Sequence, residues 1–222
     1  MPAHRRRPLP GFVRRLAGDS RGVSLIEFAY ILPVFITLGM VGAEVAWMAS
    51  VNMQVSQVAL SLADNASRLG QSDNSSVTPT ITEADVDSIM SGALRQGAAY
   101  NLATRGRVIL SSVEYDKASG KQFIHWQRCR GTLARTSAYG NDGARNGLTG
   151  TSIAGVGQAA QKVRAADGSA VMVAEVFLEY QSLFAGTLTG PKQFRQEAVF
   201  AIRDDRNLAP GVTGGSGQSR CT

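Results

Sequence analysis

From Val23 to about Val51 the chain carries an apolar run whose only charges are Glu27 and Glu44. A run of this length fits two environments, the core of a large protein or a lipid bilayer. Its uncharged centre, Phe28 to Ala43, is about one residue short of the usual spanning minimum of ~17. The flanking stretches Val23–Ile26 and Val45–Val51 make it long enough, provided that Glu27 and Glu44 lie near the two interfaces or against partners. Glu44, at the outer end, is placed where a carboxylate reaches water. A run of this kind predicts a single-pass anchor over residues 23–51.

Charge sets the expected orientation. Of the formal net charge of +6, the first 22 residues hold +5, as Arg5, Arg6, Arg7, Arg14, Arg15 and Arg21 outweigh Asp19. No basic residue follows until Arg68. By the positive-inside rule the basic segment 1–22 stays in the cytoplasm and the remainder lies outside it. The rest of the chain is close to neutral with interspersed signs, which excludes the basic face expected of a nucleic-acid-binding domain. A secretory signal peptide cut near Val41-Gly42-Ala43 and an uncleaved signal anchor are the competing readings of the same run. Neither assigns any purpose to Glu27, a costly charge inside an apolar segment.

The residues at the start of the run are Arg21-Gly22-Val23-Ser24-Leu25-Ile26-Glu27-Phe28. A glycine just before an apolar run, with a glutamate at the fifth position after it, resembles the pattern read by prepilin peptidases. Extended through Ala29-Tyr30-Ile31-Leu32-Pro33, the stretch is similar to the TadE-like minor pseudopilins of tight-adherence (Tad) pilus systems. Val171–Val176, Tyr180–Phe184 and Arg195–Arg203 are similar to segments of the longer members of that family, although taken alone they are ordinary strand sequences.

The resemblance implies cleavage between Gly22 and Val23, with Glu27 and Phe28 as recognition and assembly residues. Cleavage turns a peptide nitrogen into an ammonium at the head of a helix, and Glu27 offers it a partner, in cis or on a neighbouring subunit. At an effective dielectric of ~20 such charges ~4 Å apart attract by about 4 kcal/mol before desolvation is subtracted. The implied function is a minor pseudopilin that takes part in pilus assembly. Its implied partners are a prepilin peptidase, other pilins and pseudopilins, the Tad inner-membrane assembly machinery and the membrane itself. No enzymatic activity, cofactor, metal, nucleic acid or small-molecule substrate is expected. The alternative is an uncleaved, membrane-anchored extracytoplasmic binding domain.

Beyond the span, Val51, Val55, Val58, Leu62, Ala66 and Leu69 recur at helical spacing, so the anchor helix should continue amphipathically to about Leu69. Pro33 should kink its membrane half. Gly39 and Ala43 form a small-xxx-small pair suited to close helix contact, as well explained by the frequency of glycine in membrane helices. Thr82-Glu83-Ala84-Asp85 reads as a near-capping box opening a helix to about Tyr100, with Val86, Ile89, Met90, Ala93 and Leu94 as its buried stripe.

Alternation predicts a β-hairpin, Arg107–Tyr115 and Gln122–Arg130, with Phe123, His125 and Cys129 on one face and Ile124 and Trp126 on the other. A second strand pair follows, Ala170–Tyr180 and Gln193–Arg203, with Phe194, Ala198, Phe200 and Ile202 on one face. Between the pairs, residues 131–167 have little periodicity and read as an irregular surface excursion. The expected fold is α+β: a long N-terminal helix, anchor plus extension, packed on a small, mostly antiparallel sheet of about four strands. The head covers residues 52–209, and 210–222 form a flexible glycine-rich tail.

Cys129 and Cys221 are the only cysteines. In a compartment outside the cytoplasm an even pair points to a disulfide, with free thiols or an intermolecular bond as alternatives. Three other features carry less. Gly155-Val156-Gly157-Gln158-Ala159-Ala160 matches GxGxxA without a preceding apolar strand. His125, the one histidine outside the leader, sits in a strand between Ile124 and Trp126 with no nucleophile implied by spacing. Asn65-Ala66-Ser67 and Asn74-Ser75-Ser76 match a glycosylation sequon by composition only.

Overall fold

The computed structural model describes residues 22–70, 78–157, 162–184, 186, 189–203, 205–215, 217 and 219–221, with Gly11, Arg15 and Gly18 upstream. The expectations placed on Arg5, Arg6, Arg7, Arg14, Asp19, Arg21, the sequon at Asn74 and the end of the GxGxxA stretch lie outside the described residues. The chain divides into two units, Met1–Val45 and Ala46–Thr222. Val51, counted with the span in the sequence, belongs to the core of the second unit.

Helix α1 runs from Val23 to Ser67 and passes through Pro33 without a break. The Thr37 hydroxyl donates to the Pro33 carbonyl at 2.8 Å, a local bond typical of helical threonine. Strand β1 is Ile81–Thr82 and helix α2 is Glu83–Gln96. The capping box is present in full: the Asp85 amide donates to Thr82 Oγ1 at 3.2 Å, and the Thr82 amide donates to Asp85 Oδ2 at 3.0 Å. Aspartate therefore does here what glutamate usually does. The helix stops four residues before the expected Tyr100. Gly97 ends it because the Leu102 side chain lies where any Cβ would be. A 3-10 turn over Ala98–Tyr100 and Asn101 in the left-handed region (φ 57°) lead into the short helix α3, Leu102–Arg105.

Four antiparallel strands form the sheet: β2 (Gly106–Asp116), β3 (Lys121–Arg130), β4 (Ala170–Glu179) and β5 (Gln193–Ala201), in the order β3-β2-β4-β5. The fold is α+β. One sheet face carries Val108, Leu110, Trp126, Met172, Val176 and Leu178 against Val55, Val58, Leu62 and Ala66 of α1 and Val86 and Met90 of α2. This is the helical stripe read from the sequence. Each fully buried Val or Leu in it contributes on the order of 1.5–3 kcal/mol. Phe194, Ala198, Phe200 and Ile202 all face this side, as expected.

Two expectations about the faces of the sheet need correction. Ile124 and Trp126 do not share a face. The register shifts between Ser112 and Val113, where Trp126 pairs with Ser112 and Ile124 with Val113, leaving His125 as the extra residue of a bulge. One inserted residue reverses every side chain beyond it. Trp126 therefore joins the helical core, while Ile124 packs with Val113, Val171 and Val173 on the other face.

The second correction concerns residues 131–167: the described ones are irregular and mostly exposed, as expected, but they also contribute to the core. Ile153, Val156 and Ala165 cover that other face, and Leu133 packs beside Ile109, Cys129 and Phe177. The coverage is made by isolated bridges, Gln122 to Ile153 and Val156 to Val163, so no strand period announces it. Central strand β4 is consequently buried on both faces.

The tail is tied down rather than free. Strand β6 (Val212–Thr213) pairs in parallel with β1, and Arg220 bridges to Arg128. Upstream of it, Arg206 is buried and its guanidinium donates to the Ala66 and Leu69 carbonyls, each at 3.3 Å, at the end of α1. Burial pushes its pKa down to about 10. A cation at this helix end complements the macrodipole, and α1 has no basic residue in its own last turn.

Candidate functional site

The expected cleavage and assembly residues lie together at the start of α1. The helix begins at Val23, directly after Gly22. A Cβ on Gly22 would meet no atom within 4 Å, and the same holds at Gly39 and Gly42. Among the described residues nothing therefore demands glycine at these positions, although glycine inside a helix costs up to about 1 kcal/mol relative to alanine. Leu25 is 74% exposed and Phe28 61%, and Glu27 is exposed among them.

From Gly22 to Ala43 every residue is exposed except Met40, which is half-buried. The most apolar window of α1 has a mean hydropathy of 1.9 and none of it is buried. A helix that is apolar all round and, among the described residues, covered by nothing is suited to a bilayer or to other helices. At 1.5 Å per residue, Val23 to Val45 reaches about 35 Å, enough for a hydrocarbon core of ~30 Å. Glu44 departs from expectation: it is buried, 1% exposed, rather than reaching water. Sequence placed it by position along the run, whereas burial depends on which side of the helix it occupies.

The two cysteines are joined. The Cys129–Cys221 disulfide closes a sequence separation of 92 residues. Beside it Arg130 Nε donates to Ser219 Oγ at 2.6 Å and Arg130 pairs with Asp87 at 3.2 Å, while Ser219 also donates to Asp87. Glu83, at the first turn of α2, holds Arg128 through both carboxylate oxygens. The last residues are thus fixed to β3 and α2 by a covalent bond, a bridge and an ionic cluster.

His125 occupies the bulge and meets Glu114, Nδ1 to Oε2 at 3.0 Å, with Phe123 beside its ring. Ser112 is buried and donates to Glu114 Oε1 at 3.2 Å rather than to the imidazole. Among the described residues no hydroxyl is hydrogen-bonded to the ring, so the three side chains do not form a nucleophile–base pair. The bond to Glu114 raises the His125 pKa above its ordinary 6.5, against the lowering effect of burial.

A raised folded-state pKa contributes stability that is complete below about 6.5 and lost as pH rises through the folded value. The melting temperature of the full chain is therefore expected to fall between pH 6 and pH 8.5, and His125→Gln is expected to flatten that slope. Equal slopes in the two proteins would remove His125 as the cause.

One buried cluster was not foreseen. Glu175, Glu197 and Arg195 meet on the face opposite α1, with Arg195 Nη2 at 2.8 Å from Glu175 and 2.9 Å from Glu197. The Ala138 amide donates to Glu175 at 3.1 Å and the Tyr139 hydroxyl donates to Glu197. The Gly157 amide donates to Glu197 at 2.9 Å, which commits a described amide of the GxGxxA stretch to a carboxylate and not to a phosphate. Burial, then the Glu197 bond, pushes the Tyr139 hydroxyl above its ordinary range. Two carboxylates with one guanidinium tie residues 138–157 to β4 and β5. The alternation of Arg195 and Glu197 in β5 was visible, but their partner Glu175 becomes adjacent only through strand pairing.

Among the described residues no group of three or more His, Cys, Asp or Glu side chains is arranged to hold a metal ion. Comparison of the chain with protein-family models, with curated proteins and with solved structures finds no match.

Proposed function

We propose that this protein is a minor pseudopilin, made as a precursor, cut between Gly22 and Val23, and used in the assembly of a Tad-type pilus. The observation that carries the reading is the coincidence at one point of the chain of three features. A glycine that its own fold does not require is followed at once by the start of α1, and Glu27 stands exposed in an otherwise apolar surface. A peptidase working beside a membrane needs a small residue at the bond and an accessible one. A filament partner accounts for a carboxylate that a lipid environment alone penalises.

The basic leader stays in the cytoplasm, α1 crosses the inner membrane, and the head lies in the periplasm until the processed subunit is extracted. The disulfide supports an oxidising location for the head. The implied partners are a prepilin peptidase, other pilins and the inner-membrane assembly machinery.

Co-expression with a prepilin peptidase is expected to remove residues 1–22, and N-terminal sequencing should then read Val-Ser-Leu-Ile-Glu. Gly22→Leu should leave the chain at its full length, about 23.5 kDa, under the same conditions. An unchanged mass of the wild-type chain beside an active peptidase rejects the proposal and leaves the uncleaved anchor in its place.

A further inference from the structure

The head has an unusual concentration of cations beside the disulfide. Arg107, Arg135 and Arg145 line one recess of about 270 Å³, together with Gln127, Asn141 and the Cys129–Cys221 bond, and no carboxylate lines it. None of the three arginines makes an ion pair among the described residues, whereas Arg68, Arg128, Arg130, Arg195 and Arg203 all do. Like charges gathered in one concavity repel, and the exposed Arg135 and Arg145, outside any strand, are free to splay away from Arg107 of β2 unless something favours their convergence.

The loops that carry the arginines are held in place. Arg107 on β2 donates from Nη1 to the Gly131 carbonyl at 2.9 Å, and its Nε is buried without a hydrogen-bond partner among the described residues. The segment leading to Arg135 is fixed by the Thr132 hydroxyl to the Thr104 carbonyl at 2.7 Å and by the Leu133 amide to the Gly106 carbonyl at 3.1 Å. Arg145 follows a turn closed by Asn141 Oδ1, which accepts from the Gly143 amide at 3.0 Å. Gly140 takes φ +104°, and a Cβ there would collide with the Arg145 carbonyl. These bonds preorganise the recess before any ligand arrives.

We propose that this recess is a binding site for an oxyanion, a phosphate, sulfate or carboxylate group carried by a small molecule or a lipid headgroup, held by Arg107, Arg135 and Arg145. Guanidinium groups match such anions with paired donors, and the neutral amides of Gln127 and Asn141 tolerate the rest of a ring-sized ligand. The site belongs to the head and does not depend on the pseudopilin reading, so either stands if the other fails.

The test uses the full chain in phosphatidylcholine nanodiscs at constant ionic strength, with chloride replaced stepwise by inorganic phosphate, sulfate or glucuronate. Melting temperature should rise saturably with at least one of the three, by the linkage of binding to stability. Arg135 and Arg145 are exposed, so Arg135→Gln and Arg145→Gln should melt in chloride at or slightly above the wild type, as one repelling charge is removed. Each should weaken the apparent affinity about tenfold, the worth of a charge-assisted hydrogen bond. The double variant should show no saturable response.

Repeating the phosphate titration in discs containing phosphatidylglycerol assigns the source. Loss of apparent affinity there identifies a lipid phosphate as the occupant, and an unchanged affinity a soluble anion. A response identical in wild type and double variant, as sulfate gives by exclusion from any surface, overturns the site, as does no response to any of the three anions.

Discussion

Cys221→Ser is expected to lower the stability of the head by about 3–5 kcal/mol. The bond closes a loop with a sequence separation of 92 residues, for which chain entropy sets an upper value of about 4.7 kcal/mol. A second loss accompanies the first. Once the end of the chain is released, the Arg220 bridge to Arg128 and the Ser219 bonds to Asp87 and Arg130 must hold it alone. These partly buried polar contacts each contribute on the order of 0.5–1.5 kcal/mol, less than the bond. Serine at position 221 is half-exposed and adds no buried hydroxyl penalty of its own. Denaturant unfolding of the full chain in detergent, followed by the fluorescence of the buried Trp126, measures the change. Reductant should move the wild type toward the variant and leave the variant where it is. Coincident transitions for the two oxidised proteins would show that the bond does not stabilise the head.

The second large effect is expected at Glu27. Glu27→Ala should insert into the membrane at least as well as the wild type, because removing a charge from an apolar segment favours insertion, near its end by less than the ~2.5–3.5 kcal/mol of a charge at a helix centre. Leader removal should continue, since Gly22 and the helix start are unchanged. Assembly should fail: the ammonium of Val23 loses its carboxylate, and an uncompensated charge at a low-dielectric helix contact costs several kcal/mol. Glu27→Asp keeps the charge on a shorter side chain and should restore assembly in part. Pili formed at wild-type levels with Glu27→Ala would dismiss the docking role. Unprocessed precursor would instead assign Glu27 to peptidase recognition.

Much of the head was legible in the sequence. The stripe Val51, Val55, Val58, Leu62 and Ala66, the capping box at Thr82 and Asp85, and the inward set Phe194, Ala198 and Phe200 depend on residues a few positions apart, and local spacing is all that a sequence displays directly. The cysteine pair was legible by count, because only two cysteines exist. The bulge at His125 was not, since nothing in Phe123-Ile124-His125-Trp126 marks the residue that loses its partner. Nor was the role of residues 131–167: their isolated apolar side chains, Ile153, Val156 and Ala165, have no period and gain meaning only from the sheet face they cover.

The sequence by itself determined the elements and the apolar run, through periodicity, caps and charge asymmetry, which act within one or two turns of chain. The tertiary structure decided what each element buries and what the polar residues do. Arg206 reaches Ala66 across 140 residues, Arg195 reaches Glu175 across a strand pair, and the tail reaches β3 through Cys129. Such pairings are set by the register of the sheet and the crossing of the chain, and a polar residue carries no local mark of a partner so distant.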